Sequence, residues 1–254
     1  MRKEKRMPYT DNIISSKILS SFPGLSHGIS TKLGGNSAPP FYNNMSFKVG
    51  DKEQAVKNNR TKFFGSLGID QNMLAIPQQI HSDKVLVIDK PGYYKDTDGL
   101  ITVTPDIYLI ISTADCYSVL IYDKANKAIG NIHSGWRGTQ KKIITKAVEQ
   151  MKKEVGSKTE NLSVYVGPGI SRDNFEVGKE VAEMFDKKFT EIRNEKYLID
   201  LKLHIIDQLN TLGINNHQIE SYPHCTFIMK DYLHSYRRDR DKSGRMFSVI
   251  GIRG

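Results

Sequence analysis

The spacing of apolar residues changes along this chain, and each spacing predicts an element. KEQAVKNNRTKFFGSLGI (52–69) places Val56, Phe63 and Leu67 on one side of a helix that Gly68 ends. VLVID, GLITV, IYLIIST, SVLIYD and KAIGNIH, between residues 85 and 133, are short β-branched runs cut by Gly, Pro, Asp or Asn, which is how strands read. TQKKIITKAVEQMKKEVG (139–156) returns to helical spacing, with Ile143, Ile144, Ala147, Val148, Met151 and Val155 as its stripe and Gly156 as its stop. The strand LSVYVGP follows, so KAIGNIH, the helix and LSVYVGP form a predicted βαβ crossover, right-handed if the strands are parallel. Helices are predicted over EVGKEVAEMFDKKF (176–189) and DLKLHIIDQLNTLG (200–213), and RMFSVIGI (245–252) is the final strand. LGGNSAPPFYNNM (33–45) is rich in turn formers and predicts an irregular exposed segment. The sum is an α/β layered sandwich, a mixed sheet flanked by helices, expected as one catalytic domain over residues 1–254, with 1–25 a frayed N-terminal segment.

Composition narrows the class. A chain of 254 residues can bury a core without disulfides or a structural metal, and its 38% hydrophobic content is ordinary for a soluble domain. The first residues are basic, but neither an apolar signal region nor a run long enough to span a membrane follows, so a cytoplasmic protein is expected, with no membrane partner. Two cysteines, Cys116 and Cys225, do not make a secreted disulfide framework. The net charge of +9 favours anionic partners, although much of it reads as solvated lysine. No nucleic-acid motif and no basic–aromatic interleaving accompanies it, so a basic nucleotide- or nucleic-acid-binding module is only a rival reading and no nucleic-acid partner is expected. The oligomeric state is not legible.

Three segments carry chemistry: PQQIHSD around His81, STADCYS around Cys116 and NIHSGWRGT around His133. Cys116 and His133 follow or close predicted strands, where open α/β sheets form ligand crevices. A Cys/His/His set suits zinc with a fourth position open, the arrangement of catalytic centres. Two other readings stay open: Cys116 as a nucleophile activated by His133, and three residues with no common site. Cys225, beside His224, is expected to be packing.

These segments, with DGLIT (98–102) and SYRRDRDKSGRMFSVIGI (235–252), resemble the laccase-domain or multicopper polyphenol oxidase family, which includes peptidoglycan editing factors and purine nucleoside enzymes. The resemblance runs from about Gly28 to Ile252. It implies one catalytic Zn2+ held by His81, Cys116 and His133, and phosphorolysis of adenosine, inosine, guanosine and methylthioadenosine, with hydrolytic deamination of adenosine. Inorganic phosphate would be the co-substrate and a nucleoside the small-molecule partner. Phosphate recognition suits the planar fork of arginine, which makes Arg60 and Arg137 candidates beside Lys32, with Arg237 and Arg238 ranked after them. Asp115 is a candidate catalytic or supporting residue, Ser82 and Ser134 are candidate donors, and Trp136 offers a face for stacking. A laccase proper would need several coppers and more histidines than these motifs hold.

Three positions depart from the family pattern. Thr31-Lys32 stands where the family's loop usually reads Thr-Arg before the two glycines, which keeps the charge but loses a bidentate fork. Ser46 replaces an Asn, and GPGISRDNFEVG (167–178) lacks a cysteine pair. The enzymatic rival is a zinc amidase that removes L-serine from a UDP-linked muramyl precursor.

Overall fold

The computed structural model describes residues 11–254, so part of the frayed start expected over 1–25 lies outside the described residues. Within it, residues 11–25 carry a short strand and a helical turn, and Glu220 anchors them by accepting from Ser16 Oγ at 2.7 Å and Ile18 N at 2.8 Å.

The mixed pairing predicted from sequence is present and is divided between two six-stranded sheets. The first runs β1 (Ile13–Ile14), β2 (Leu25–Ser30), β15 (Met246–Ile252), β7 (Tyr108–Thr113), β3 (Leu74–Pro77) and β5 (Gly92–Tyr94). The second runs β14 (Ile219–Ser221), β10 (Leu162–Val166), β8 (Tyr117–Asp123), β9 (Ala128–Ser134), β6 (Gly99–Thr102) and β4 (Val85–Val87). A small third sheet pairs β11 (Glu176–Val177), β13 (Lys196–Ile199) and β12 (Thr190–Arg193). Both β9 and β10 run antiparallel to β8, so they are parallel to each other with β8 between them, as the βαβ reading requires.

Strand periodicity explains the layering. Alternate side chains of a strand face opposite ways, and here both faces are covered. Leu100, Leu120 and Ile129 of the second sheet point inward, where they join Leu109, Met246 and Ile250 of the first. Their neighbours Ile101, Val119, Ile121 and Ile132 point outward against α4 (Ile143–Gln150) and α6 (Leu201–Thr211). On the other side, Ile110, Phe247 and Val249 meet Phe63 and Phe64 of α2 (Glu53–Ser66). The result is four layers, helix–sheet–sheet–helix.

Between the sheets one polar side chain ties the layers together. Asn131 of β9 is fully buried; its amide donates to the carbonyls of Leu109 at 2.9 Å and Ser248 at 3.2 Å, and its oxygen accepts from Ser248 Oγ at 3.2 Å.

The expected helices at 52–69 and 200–213 form, the second capped by Asp200, whose side chain accepts from Leu203 N at 2.9 Å. Residues 139–156 are helical but broken at left-handed Lys142, φ 59°, and end at Gly156, φ 74°. Residues 176–189 depart from expectation. Glu176 and Val177 pair with Leu198 and Tyr197, which takes the backbone into the third sheet and leaves a helix of only Lys179–Ala182. The apolar residues that suggested a stripe, Ala182, Phe185 and Phe189, are buried without continuous helix.

Asn131→Ala removes three hydrogen bonds from a buried interface. It is expected to lower stability by about 2–4 kcal/mol, seen as a lower urea midpoint at unchanged slope.

Candidate metal centre

Two of the three ligand segments are the links by which the chain leaves the first sheet for the second. Residues 78–84 join β3 to β4, and residues 114–116 join β7 to β8. The third segment ends β9, where His133 pairs in register with Ser118, two residues from Cys116. The sheet-to-sheet links therefore converge on one end of the sandwich. There the ligand atoms of His81, Cys116 and His133 all lie within 4.8 Å of one another. His81 is exposed, Cys116 half-buried and His133 buried, and the two imidazoles meet edge to face at 4.9 Å.

A carboxylate on which the sequence had placed no role holds this arrangement. Asp98 precedes β6 and is fully buried; Gly99 pairs with both Val85 and Ile132, so Asp98 falls between β4 and His133. Its Oδ1 lies 2.7 Å from His133 Nδ1, which directs the other ring nitrogen, Nε2, away from the carboxylate. The same carboxylate accepts from the backbone N–H groups of Ile80, His81 and Ser82 at 3.2, 3.0 and 2.7 Å, and from Ser82 Oγ at 2.7 Å. These bonds hold His81 in the left-handed region at φ 60°, a costly conformation for a residue with a Cβ. Gln79 ties the link to β7 with two 2.8 Å bonds to the Ser112 backbone.

The electrostatics follow from these contacts. Burial works to raise the Asp98 carboxyl, but donors on His133 and Ser82 outweigh it and hold the pKa at about 2. Burial likewise opposes ionisation of Cys116, yet His133 and His81 lower the thiol to about 6. Burial pulls His133 down while Cys116 and Asp98 push it up to about 9. A thiolate beside two imidazoles, one braced by a carboxylate, is a donor set suited to a metal.

Gly135 leaves the space. A Cβ on it would lie 3.0 Å from Cys116 Sγ and 3.2 Å from His81 Cδ2. Its own backbone, φ −83° and ψ 176°, suits any residue, so the glycine is required by crowding and not by conformation.

The other candidates divide. Ser82 serves Asp98, and Ser134 is buried against Thr139 Oγ1 at 2.8 Å. Asp115, left-handed at φ 90°, accepts from Thr226 Oγ1 and Arg237 N, both at 2.6 Å, which docks the C-terminal segment beside Cys116. Arg137 is exposed near Gly135, its guanidinium 4.3 Å from the ring of Trp136, which packs on the outer core. Arg60 lies on the α2 side of the first sheet, stacked on Phe47 and Phe247 and donating to the Met45 carbonyl at 2.8 Å; no hydrogen bond or ring contact joins it to the triad. Lys32 is half-buried, with Nζ 2.9 Å from the Lys230 carbonyl. Arg237 donates to the Glu176 carbonyl at 2.7 Å, and Arg238 spends its guanidinium on Asp239 and three carbonyls. Cys225 is buried, its sulfur accepting from Ser171 N at 3.1 Å, a packing role. Asp98 and Gly135 were missed. Their only sequence signals were an acid at the entrance to an apolar strand and a glycine two residues past a histidine.

Two facing mixed sheets, helices outside and a Cys/His/His cluster at the sheet links define an α/β protein with a metal-type centre. The chain belongs to the multi-copper polyphenol oxidoreductase laccase family, whose model matches residues 26–253. A purine nucleoside phosphorylase of Bacteroides thetaiotaomicron is 36% identical, over 98% of this chain and 97% of that protein. One of Haemophilus influenzae is 34% identical, over 87% and 91% respectively. Among solved structures, YfiH of Bacillus licheniformis superposes with TM-score 0.85 at 32% identity, covering 90% of this chain and 93% of that one. YlmD of Geobacillus stearothermophilus shares the fold with TM-score 0.90 at 24% identity, covering 98% of both chains. No helix among the described residues is long and apolar enough to cross a membrane.

Asp98→Asn keeps the shape but removes the charge that orients His133. It is expected to weaken metal affinity by about 10- to 100-fold, measured by competition with a chromophoric chelator. Gly135→Val fills the ligand space and is expected to abolish metal binding while the protein still unfolds cooperatively on heating.

Proposed function

We propose that this protein is a zinc-dependent purine nucleoside phosphorylase acting on adenosine, inosine, guanosine and methylthioadenosine, with hydrolytic deamination of adenosine as a second activity. The observation that carries the reading is the convergence of His81, Cys116 and His133 under Asp98, in a chain whose relatives bear the phosphorylase name over nearly their whole length. A cytoplasmic location and a single catalytic domain belong to the same reading.

The donor chemistry fits zinc. One thiolate and two imidazoles form a three-ligand set, and Gly135 keeps the space beside them free of a side chain. When bound, zinc supplies Lewis-acid polarisation to the substrate group it faces. The chain's own residues do the rest. Asp98 fixes the His133 tautomer with Nδ1–H toward the carboxylate, and the His81 backbone is held so that its ring meets that of His133. In phosphorolysis a phosphate oxygen bonds to the ribose anomeric carbon as the glycosidic C–N bond breaks and the purine takes up a proton. The exposed Arg137 guanidinium, on the helix that starts after Gly135, is placed to offset negative charge at the rim. Asp115 acts here as a positioning residue, since both its oxygens are engaged by the C-terminal segment.

Metal content by mass spectrometry, with inosine phosphorolysis on the same samples, tests the reading. Wild type is expected to carry close to one zinc per chain, and Cys116→Ser to lose metal and activity together. Full zinc retention in an inactive Cys116→Ser would make Cys116 a nucleophile and overturn the metal mechanism.

A further inference from the structure

Three ligands have three separations to be fixed, and two of these have an evident device. His81 and His133 are set relative to one another by Asp98, whose carboxylate takes His133 Nδ1 and the backbone N–H groups of Ile80, His81 and Ser82. His133 and Cys116 are set by the β8–β9 ladder, in which Tyr117 pairs with Ser134 and Ser118 with His133. The third separation, from His81 to Cys116, joins two links that lie outside the strands.

β3 and β7 lead into those two links. Their parallel pairing couples Leu74 to Tyr108 and Ala75 to Leu109. Pro77 then has no N–H to give. Gln78 N turns to the other neighbour and donates to the Tyr94 carbonyl of β5 at 2.7 Å. Beyond that point Gln79 continues the contact with its side chain. Its Nε2 donates to the Ser112 carbonyl and its Oε1 accepts from Ser112 N, both at 2.8 Å. A carboxamide carries the donor and acceptor of a peptide group, so this side chain stands in for the β3 main chain that has left the sheet. On its other flank Ser112 pairs with Phe247 of β15, which fixes it within the first sheet.

The place of this clamp in the chain gives it reach. Gln79 lies two residues before His81, and Ser112 four residues before Cys116. From Ser112 to Cys116 the backbone has little freedom. Thr113 pairs with Met246, and the Asp115 carbonyl accepts from Ile170 N at 2.9 Å while its carboxylate holds Thr226 Oγ1 and Arg237 N. From Gln79 to His81 there is only Ile80, which is exposed, and His81 is itself exposed on a left-handed backbone. No burial in the core holds this ligand. Its place depends on the bonds around it, from Asp98 in the second sheet and from Gln79 to the first.

We propose that Gln79 is a positioning residue for the metal centre: by clamping the His81 link to the β7 backbone it sets the His81–Cys116 separation. The inference rests on the metal-centre reading, but not on which reaction the metal serves. Gln79 makes no hydrogen bond to a ligand side chain among the described residues and acts through the backbone at both ends. Without the clamp all three donors remain, but the distance between two of them varies, and a metal site loses affinity when its ligands are not held.

Cobalt(II) is the probe, because thiolate and imidazole around a four-coordinate cobalt give visible absorption that reports the ligand geometry. In titrations of the full-length protein stripped of metal, Gln79→Leu is expected to bind cobalt about 10- to 100-fold more weakly than wild type. At saturation its visible spectrum is expected to be weaker and shifted. Gln79→Glu has the same length and keeps an acceptor for Ser112 N, but loses the donor to the carbonyl. It is expected to fall between the two, and it carries the test should Gln79→Leu fail to fold. Gln54→Leu, on the exposed face of α2, is expected to match wild type. A role in stability alone would lower the melting temperature of the Gln79 variants and leave cobalt affinity and the saturated spectrum unchanged, and that result overturns the proposal. A wild type that takes up no cobalt overturns it together with the metal-centre reading. Impaired cobalt binding in Gln79→Leu, in a protein whose zinc form does not phosphorolyse inosine, upholds the positioning role and removes only the phosphorylase reading.

Discussion

A carboxylate taken out of water must have its charge met by donors, and Asp98 has its charge met by the groups that a metal site needs held still. Three successive backbone N–H groups, a serine hydroxyl and an imidazole converge on it. The exposed His81 and the buried His133 come from segments about fifty residues apart, and their common bond partner sets their relative position. The cost of left-handed His81 is met by the same bonds. A centre built this way is rigid because its organiser lies below it, in the sheet, away from solvent.

The two-sheet construction explains why the ligands meet at all. Strand pairing fixes where each strand ends, and the links between sheets must cross at those ends. Two ligands ride on such links, and the third closes the strand beside them. Asn131 ties β9 to β7 and β15, so the strand bearing His133 is locked to the strand that leads into Cys116. The inter-sheet core and the site are thus one mechanical unit, and a change in sheet spacing would be felt at the ligands.

Positive charge in this chain does several jobs that composition cannot separate. Arg238 is a clamp, its donors consumed by an acid and by carbonyls, whereas Arg60 is a packing residue between aromatic rings. Arg137 stands at the rim on Trp136. Arg245, seven residues from Arg238 in an equally basic stretch, keeps donors unspent next to a buried histidine. Counting hydrogen bonds, not charges, distinguishes them.

The sequence by itself determined what depends on near neighbours in the chain. β-branched runs marked the central strands, a helix was legible at 200–213, Gly156 marked a stop, and the three ligand-bearing segments stood out by residue type, with their family legible from motif order. At 176–189 a helical stripe misled, because Glu176 and Val177 pair with Leu198 and Tyr197, about twenty residues on, and so lie in a strand. What only the tertiary structure decided rests on contacts between distant residues: Asp98 with His133, Asn131 with Ser248, Gly135 with His81, Asp115 with Arg237, His234 with Gly244. Local spacing cannot encode such pairs, since a side chain's role is set by whatever donor, acceptor or empty space the fold brings to it. An aspartate before a strand reads the same whether it faces water or carries a metal site; burial and five donors made the difference here.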